Sequence, residues 1–205
     1  MATPMPDLSQ TDRSRLRRRS NRGTFDRSTA NAILDEALLA HVGFATESGP
    51  VVLPMAFVRI GERLYLHGAT GNAMLRHLAA GAAVCVNITI LDGLVLARSA
   101  FHHSMNYRSV VLFGTPTEVS EETEKRAAMD ALVERMQEGR STEARPPTEE
   151  ELRATLVVAF SIDEGSAKVR AGGPIDDPDD MALDVWAGHI PLELVRGTPQ
   201  RDGST

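Results

Sequence analysis

Between Leu94 and Gly114 the chain reads LVLARSAFHHSMNYRSVVLFG. Two adjacent histidines, an asparagine, a tyrosine and two arginines stand there between apolar runs that read as strands. Burying such polar groups without partners costs about 2–7 kcal/mol each. The segment therefore reads as strand faces turned toward a polar ligand. Arg98, Asn106, Tyr107, Arg108 and Ser109 offer donors and one flat aromatic, and arginine meets phosphate in bidentate geometry. A surface strand and hairpin with His102 and His103 exposed would have the same composition, and residue types alone leave both readings open.

A second constellation, His67-Gly68-Ala69-Thr70-Gly71-Asn72, joins an apolar strand pattern to a helical one. Its glycines let backbone amides approach a ligand closely, Thr70 and Asn72 can donate, and the following helix offers a positive end to an anion. It is neither a P-loop nor a GxGxxG. The alternative is an ordinary glycine turn with a helix cap. Lys168 and Arg170 would share one face of a strand and invite either an anion or the aspartates at 176, 177, 179 and 180. Trp186, the only tryptophan, fits a packing gap or a cofactor contact.

The six histidines include no HExxH and no i,i+4 pair, so no histidine metal site is expected. A single axial haem ligand needs only one histidine, and His67, on a polar strand face beside the glycine loop, is the candidate. There is no GxSxG, and Cys85 stands among apolar residues as a buried structural thiol, so no catalytic residue is named.

The elements that must hold these groups follow from periodicity. Ser28 can cap a helix whose face is Ile33, Leu34, Ala37 and Leu38. Strands are expected at 41–46, at 51–58 with Pro54 forcing an edge or a bulge, and at 63–67, where Leu64 and Leu66 share one face and Tyr65 and His67 the other. A short helix over 71–80 precedes an alternating strand over 83–91. Asp92-Gly93 is then a hairpin turn, with further strands at 94–100 and 107–119. A long helix over 121–138 turns Met129, Leu132, Val133 and Met136 inward, RPPTEEEL holds a capping box, and a strand follows at 154–162. Lys168-Val169-Arg170 starts another strand, and Asp176–Asp180 forms a solvated turn. Without regular βαβ alternation, a mainly β class is expected: an antiparallel small barrel with peripheral helices.

Residues 1–23 hold six arginines between Arg13 and Arg22 and read as a flexible Arg-rich arm, as a nucleic-acid arm, or as an arm lending an arginine to a phosphate site. The folded domain is expected over 24–195 and a loose tail over 196–205. The net charge of −6 disfavours broad nucleic-acid affinity, although 20 of the 22 basic residues are arginine. No apolar run approaches the ~20 residues of a membrane helix, no signal peptide is visible, and a cytoplasmic protein without a membrane partner is expected.

On LYLHG at 64–68, the run at 84–114, RPPTEEEL at 145–152, SAKVR at 166–170 and VWAGHIPL at 185–192, the chain resembles the pyridoxamine 5′-phosphate oxidase-like flavoproteins, in the branch that includes nitroimidazole-resistance (Nim-type) proteins. The resemblance implies an FMN-binding split β-barrel of antiparallel Greek-key type. It implies a homodimer with FMN at the subunit interface, acting as an oxidoreductase on a small-molecule substrate or electron acceptor. Met55, Ala56 and Phe57 would lie along the isoalloxazine, and His67, Thr70, Gly71 and Asn72 would meet the phosphate. Arg108 and Ser109 would match an arginine–glutamine pair of the oxidases. Asn106 and Tyr107 would stand near the ring or partner subunit, and Trp186 near the place of a C-terminal aromatic. The oxidases carry an arginine–lysine pair where this chain has Gly71-Asn72-Ala73, so vitamin B6 oxidation is not expected. The same site could serve a non-enzymatic flavin or haem binder.

Overall fold

Ten strands make one sheet in the computed structural model, which describes residues 6–203; residues 1–5 of the expected arm and 204–205 of the expected tail lie outside it. In chain order these are β1 (Gly23–Thr24), β2 (Leu39–Thr46), β3 (Gly49–Ile60), β4 (Arg63–Ala69), β5 (Val84–Leu96), β6 (Ser104–Gly114), β7 (Thr117–Glu118), β8 (Thr155–Ser161), β9 (Glu164–Arg170) and β10 (Gly188–Pro191). The helices are α1 (Arg27–Glu36), α2 (Ala73–Ala79), α3 (Glu122–Met136), α4 (Arg140–Glu143) and α5 (Glu149–Ala154). The sheet order is β1-β9-β6-β5-β2-β3-β4-β8-β7, with β10 added on β5. β2–β3, β3–β4 and β4–β8 pair antiparallel, as the expected class requires.

The described residues fall into two compact units, 6–90 with 108–169, and 91–107 with 170–203. In the first unit, alternation decides the core. Val84, Val86 and Ile88 of β5 are buried with Val42, Leu64, Leu66, Leu112 and Ile162, and α1 and α2 add Ile33, Leu34, Leu75 and Leu78. The opposite face of β4 and β8 buries Tyr65, Val157 and Ala159 under Ala128 and Leu132 of α3. Each large aliphatic buried this way contributes about 1.5–3 kcal/mol.

Pro54 faces His41 in the half of β3 that pairs with β2, while β4 pairs only with Phe57–Ile60. The residue without an N–H thus sits where the strand needs no second ladder. Thr148 and Glu151 close the expected capping box of α5.

Several expectations are corrected. Asp26, not Ser28, caps α1: its carboxylate accepts from the Thr29 amide at 2.7 Å, and bonds from Thr29 and Ser28 pull its pKa down to about 2. Asp92-Gly93 is no hairpin; β5 runs straight through it, and Gly93 is the register partner of Pro191. A Cβ on Gly93 would lie 2.8 Å from the Ile190 carbonyl oxygen, so the glycine there serves close backbone approach rather than a turn. Lys168-Val169-Arg170 ends a strand instead of starting one. Met136, expected inward, is 56% exposed at the last turn of α3.

Candidate functional site

The residues singled out from the sequence occur in three places. The first is the β4–α2 loop. Thr70 donates its amide to Ala154 O at 2.9 Å and Asn72 donates its amide to Ala69 O at 2.9 Å, which fixes the loop backbone. Asn72 Oδ1 accepts from the Leu75 amide at 3.2 Å, the helix-cap role that was the alternative to ligand binding. Gly68 admits the helix, since a Cβ there would fall 2.8 Å from Leu75 Cδ1. Thr70 and Gly71 remain exposed, and a Cβ on Gly71 would meet nothing within 4 Å. The loop therefore keeps one open edge made of Thr70 and Gly71.

His67 stands on β4 opposite Val157, half-buried. Its Nδ1 is buried with no hydrogen-bond partner among the described residues, and burial pushes the ring pKa down from 6.5. Burial thus favours the neutral imidazole, whose unprotonated nitrogen offers a lone pair.

The second place is Met55–Phe57 of β3. Met55 packs on the main core, and Phe57 is fully buried. Ala56 and Phe57, with Leu38, Leu132, Arg135 and Met136, line a cavity of about 270 Å³. The Arg135 guanidinium lies 4.8 Å from the Phe57 ring centroid and donates to Leu34 O and Ala37 O at the end of α1. Burial lowers its pKa. Nothing in the sequence pattern marked Arg135, because a single arginine on an amphipathic helix reads as solvated.

The third is β6. Arg108 forms a bidentate pair with Glu36 of α1, one bond at 2.7 Å. Ser109 Oγ donates to Lys168 O at 3.4 Å, and Lys168 Nζ donates to Arg18 O at 3.2 Å. In the sheet order, three strands separate β6, which carries Arg108 and Ser109, from β4 and the loop that follows it.

In the second unit, Asn106 is buried and its Oδ1 accepts from Arg170 Nη1. Arg170 also donates to Gly172 O at 3.0 Å and Gly173 O at 2.9 Å. Arg170 thus satisfies neighbouring amides, and the aspartates go elsewhere. Asp176, its side chain 2% exposed, accepts from the Arg98 amide at 2.9 Å and from Arg98 Nη1 at 2.8 Å, and its pKa falls. Asp177 meets His102 at 3.1 Å. No spacing pointed to a metal site, yet His102, Asp177 and Asp180 bring ligand atoms within 4.8 Å of one another. Asp177 and Asp180 align because residues three apart eclipse on a 3₁₀ turn, here Pro178–Ala182. Tyr107 is half-buried, and Trp186 is 64% exposed beside Gly188.

No curated protein matches the chain. The flavocytochrome Anf3 of Azotobacter vinelandii is 37% identical, with a TM-score of 0.90 over 97% of this chain and 92% of that one. An FAD and haem binding protein of Mycobacterium smegmatis is 40% identical, with a TM-score of 0.86 over 90% of each chain. A Bacteroides thetaiotaomicron protein provisionally assigned to 5-nitroimidazole antibiotic resistance shares the fold at 23% identity, with a TM-score of 0.60 over 72% of this chain and 86% of that one. The pyridoxamine 5′-phosphate oxidase family model matches residues 26–169. Its strand order, its buried alternation and this match agree: the chain is a flavin-type antiparallel split barrel and belongs to the pyridoxamine 5′-phosphate oxidase family.

Proposed function

We propose that the protein is a redox flavoprotein that also holds haem, acting as a homodimer on a small-molecule electron acceptor. The observation that carries the haem half is His67: a neutral imidazole with a buried, unpartnered Nδ1 at the head of an open glycine loop. Its support from relatives is that one at 37% identity is a flavocytochrome and another at 40% binds FAD and haem. The resemblance implies FMN; FMN and FAD share the ring and first phosphate that residues 55–57, 70–72 and 108–109 would meet. When bound, the flavin supplies hydride or electron transfer and the haem one-electron exchange. The chain's own residues bind and orient: Thr70 and Gly71 present donors, Ala56 and Phe57 offer an apolar wall, and His67 offers a ligand nitrogen.

The homodimer has support in β3, where Val52 is 63% and Leu53 41% exposed beside Pro54. Apolar side chains on both faces of the half of β3 that pairs with β2 alone are a surface that a second copy would cover. Among the described residues, no helix is long and apolar enough to cross a membrane. Cys85, whose thiol pKa is raised by burial, is the single cysteine, as suits a reducing cytoplasm.

The test is the absorption spectrum of protein purified with haem and flavin supplied. Flavin bands and a Soret band are expected, with His67→Ala removing the Soret band and sparing the flavin bands. A colourless protein that takes up neither group would overturn the reading.

A further inference from the structure

The segment before β1 is a strap held at several points. Leu8 is buried, its amide bonded to Phe25 O at 2.8 Å, and the Ser9 amide bonds Asp163 O at 2.6 Å. Ser14 is buried. Arg13 grips Glu164 through two bonds of 2.7 and 2.5 Å, and Thr11 donates to the same carboxylate. Leu16 packs where Gly23 has no side chain. From there the strap turns through Arg17, Arg18 and Arg19 into a 3₁₀ turn, Ser20–Arg22, and returns to β1 against β9.

Two observations set this turn apart. First, Arg17, Arg18 and Arg19 are exposed and, with the half-buried Arg22, have no ion pair among the described residues. Elsewhere the arginines at 13, 27, 59, 63, 98, 108, 126 and 145 meet carboxylates, and the exposed Arg76 and Arg153, which have no ion pair among the described residues, stand singly rather than in a cluster. In a chain of charge −6, a cluster left without acid is unusual. Second, Arg19 is the one non-glycine residue with positive φ among the described residues, at φ 55° and ψ 46°. A side chain held in that region costs conformational energy and points toward a role.

The position of the cluster indicates what it holds. Lys168 Nζ reaches the Arg18 carbonyl and keeps two further N–H donors, and the Lys168 carbonyl takes the hydroxyl of Ser109. Ser109 and its neighbour Arg108 are the flavin-contact pair that the family resemblance implies. The cations therefore begin one strand away from that pair, on β9, and continue into the strap. We infer that Arg17, Arg18, Arg19 and Arg22, with Lys168, hold the diphosphate of a dinucleotide flavin at its second, adenylate-side phosphate, so that the strap selects FAD over FMN. This rests on the flavin-binding reading above. Five cations within one turn and one strand end match the compact double charge of a diphosphate. A nucleic acid would call for a longer basic face, and the acidic surface beyond the strap opposes one.

The experiment uses the full chain and Arg17→Gln/Arg18→Gln/Arg19→Gln, whose side chains are exposed and have no ion pair among the described residues, with thermal melting to verify the fold. FAD, FMN and ADP are each titrated by calorimetry. The wild type is expected to bind FAD more tightly than FMN and to bind ADP alone. The variant is expected to lose FAD and ADP affinity by about tenfold or more while FMN affinity stays unchanged. Equal FAD and FMN affinities in the wild type, or FAD and FMN weakened equally in the variant, would overturn the inference and leave flavin binding standing. ADP binding that is lost in the variant, in a protein that takes up no flavin, would support the diphosphate site and defeat the function proposed above. Salt-dependent DNA retention lost in the variant without any effect on ADP or FAD would make the strap a nucleic-acid contact and overturn the inference.

Discussion

Arg108 illustrates how one side chain can be expected at a ligand and be found on a neighbour. Its guanidinium is engaged by Glu36, so a flavin contact through Arg108 must compete with a carboxylate already in bidentate geometry. Glu36→Gln is therefore expected to tighten flavin binding several-fold, read by fluorescence quenching, and Arg108→Ala to weaken it. If Glu36→Gln leaves affinity unchanged, Arg108 does not touch the flavin. His67 makes a separate claim on pH. Burial lowers its folded pKa below 6.5, so the unfolded chain takes up the proton first. Its contribution to stability is fully present above about pH 6.5 and is lost as pH falls through the depressed value. The urea midpoint of ligand-free protein should drop between pH 7.5 and 5.5, and His67→Phe should flatten that drop. An unchanged pH profile in the variant would place the titration elsewhere.

At the scale of elements, glycine chemistry separates two structures that look alike in sequence. Asp92-Gly93 between apolar runs has the signature of a hairpin turn, yet it lies inside a thirteen-residue strand. The reason is tertiary: β10 approaches so closely that only a missing Cβ fits beside Ile190. Gly93→Ala should loosen β10, raising hydrogen exchange at the Leu192 amide, which bonds to Asp92 O at 3.0 Å. Exchange at β3–β4 amides should not change. By contrast, the box at Thr148 and Glu151 was readable from residue order alone, because a cap depends on neighbours three positions apart. The cap of α1 fell two residues before the serine expected to make it, since a carboxylate accepts from Thr29 more strongly than a hydroxyl.

For the whole molecule, the exposed run Val52–Pro54 on β3 is the feature a second copy would cover. Val52→Arg is expected to shift a homodimer to monomer in sedimentation equilibrium and to weaken flavin binding with it. A wild-type monomer at micromolar concentration would remove the interface from the proposal. The strands expected at 83–91, 63–67 and 154–162, the long helix and the antiparallel class were legible from the chain alone to within a few residues, because period-2 and period-3.6 burial is local and each residue's neighbours impose it. The glycine loop and His67 were visible as residue types. Which of their atoms are spent on the fold was not: the Asn72 cap and the Arg170–Asn106 bond join groups that only folding brings together. Arg135 over Phe57, Glu36 on Arg108 and Lys168 on the strap join residues 72 to 150 positions apart. Charge pairing acts through space and ignores order along the chain, so sequence settled which elements form, and tertiary structure alone decided which polar groups they leave for a ligand.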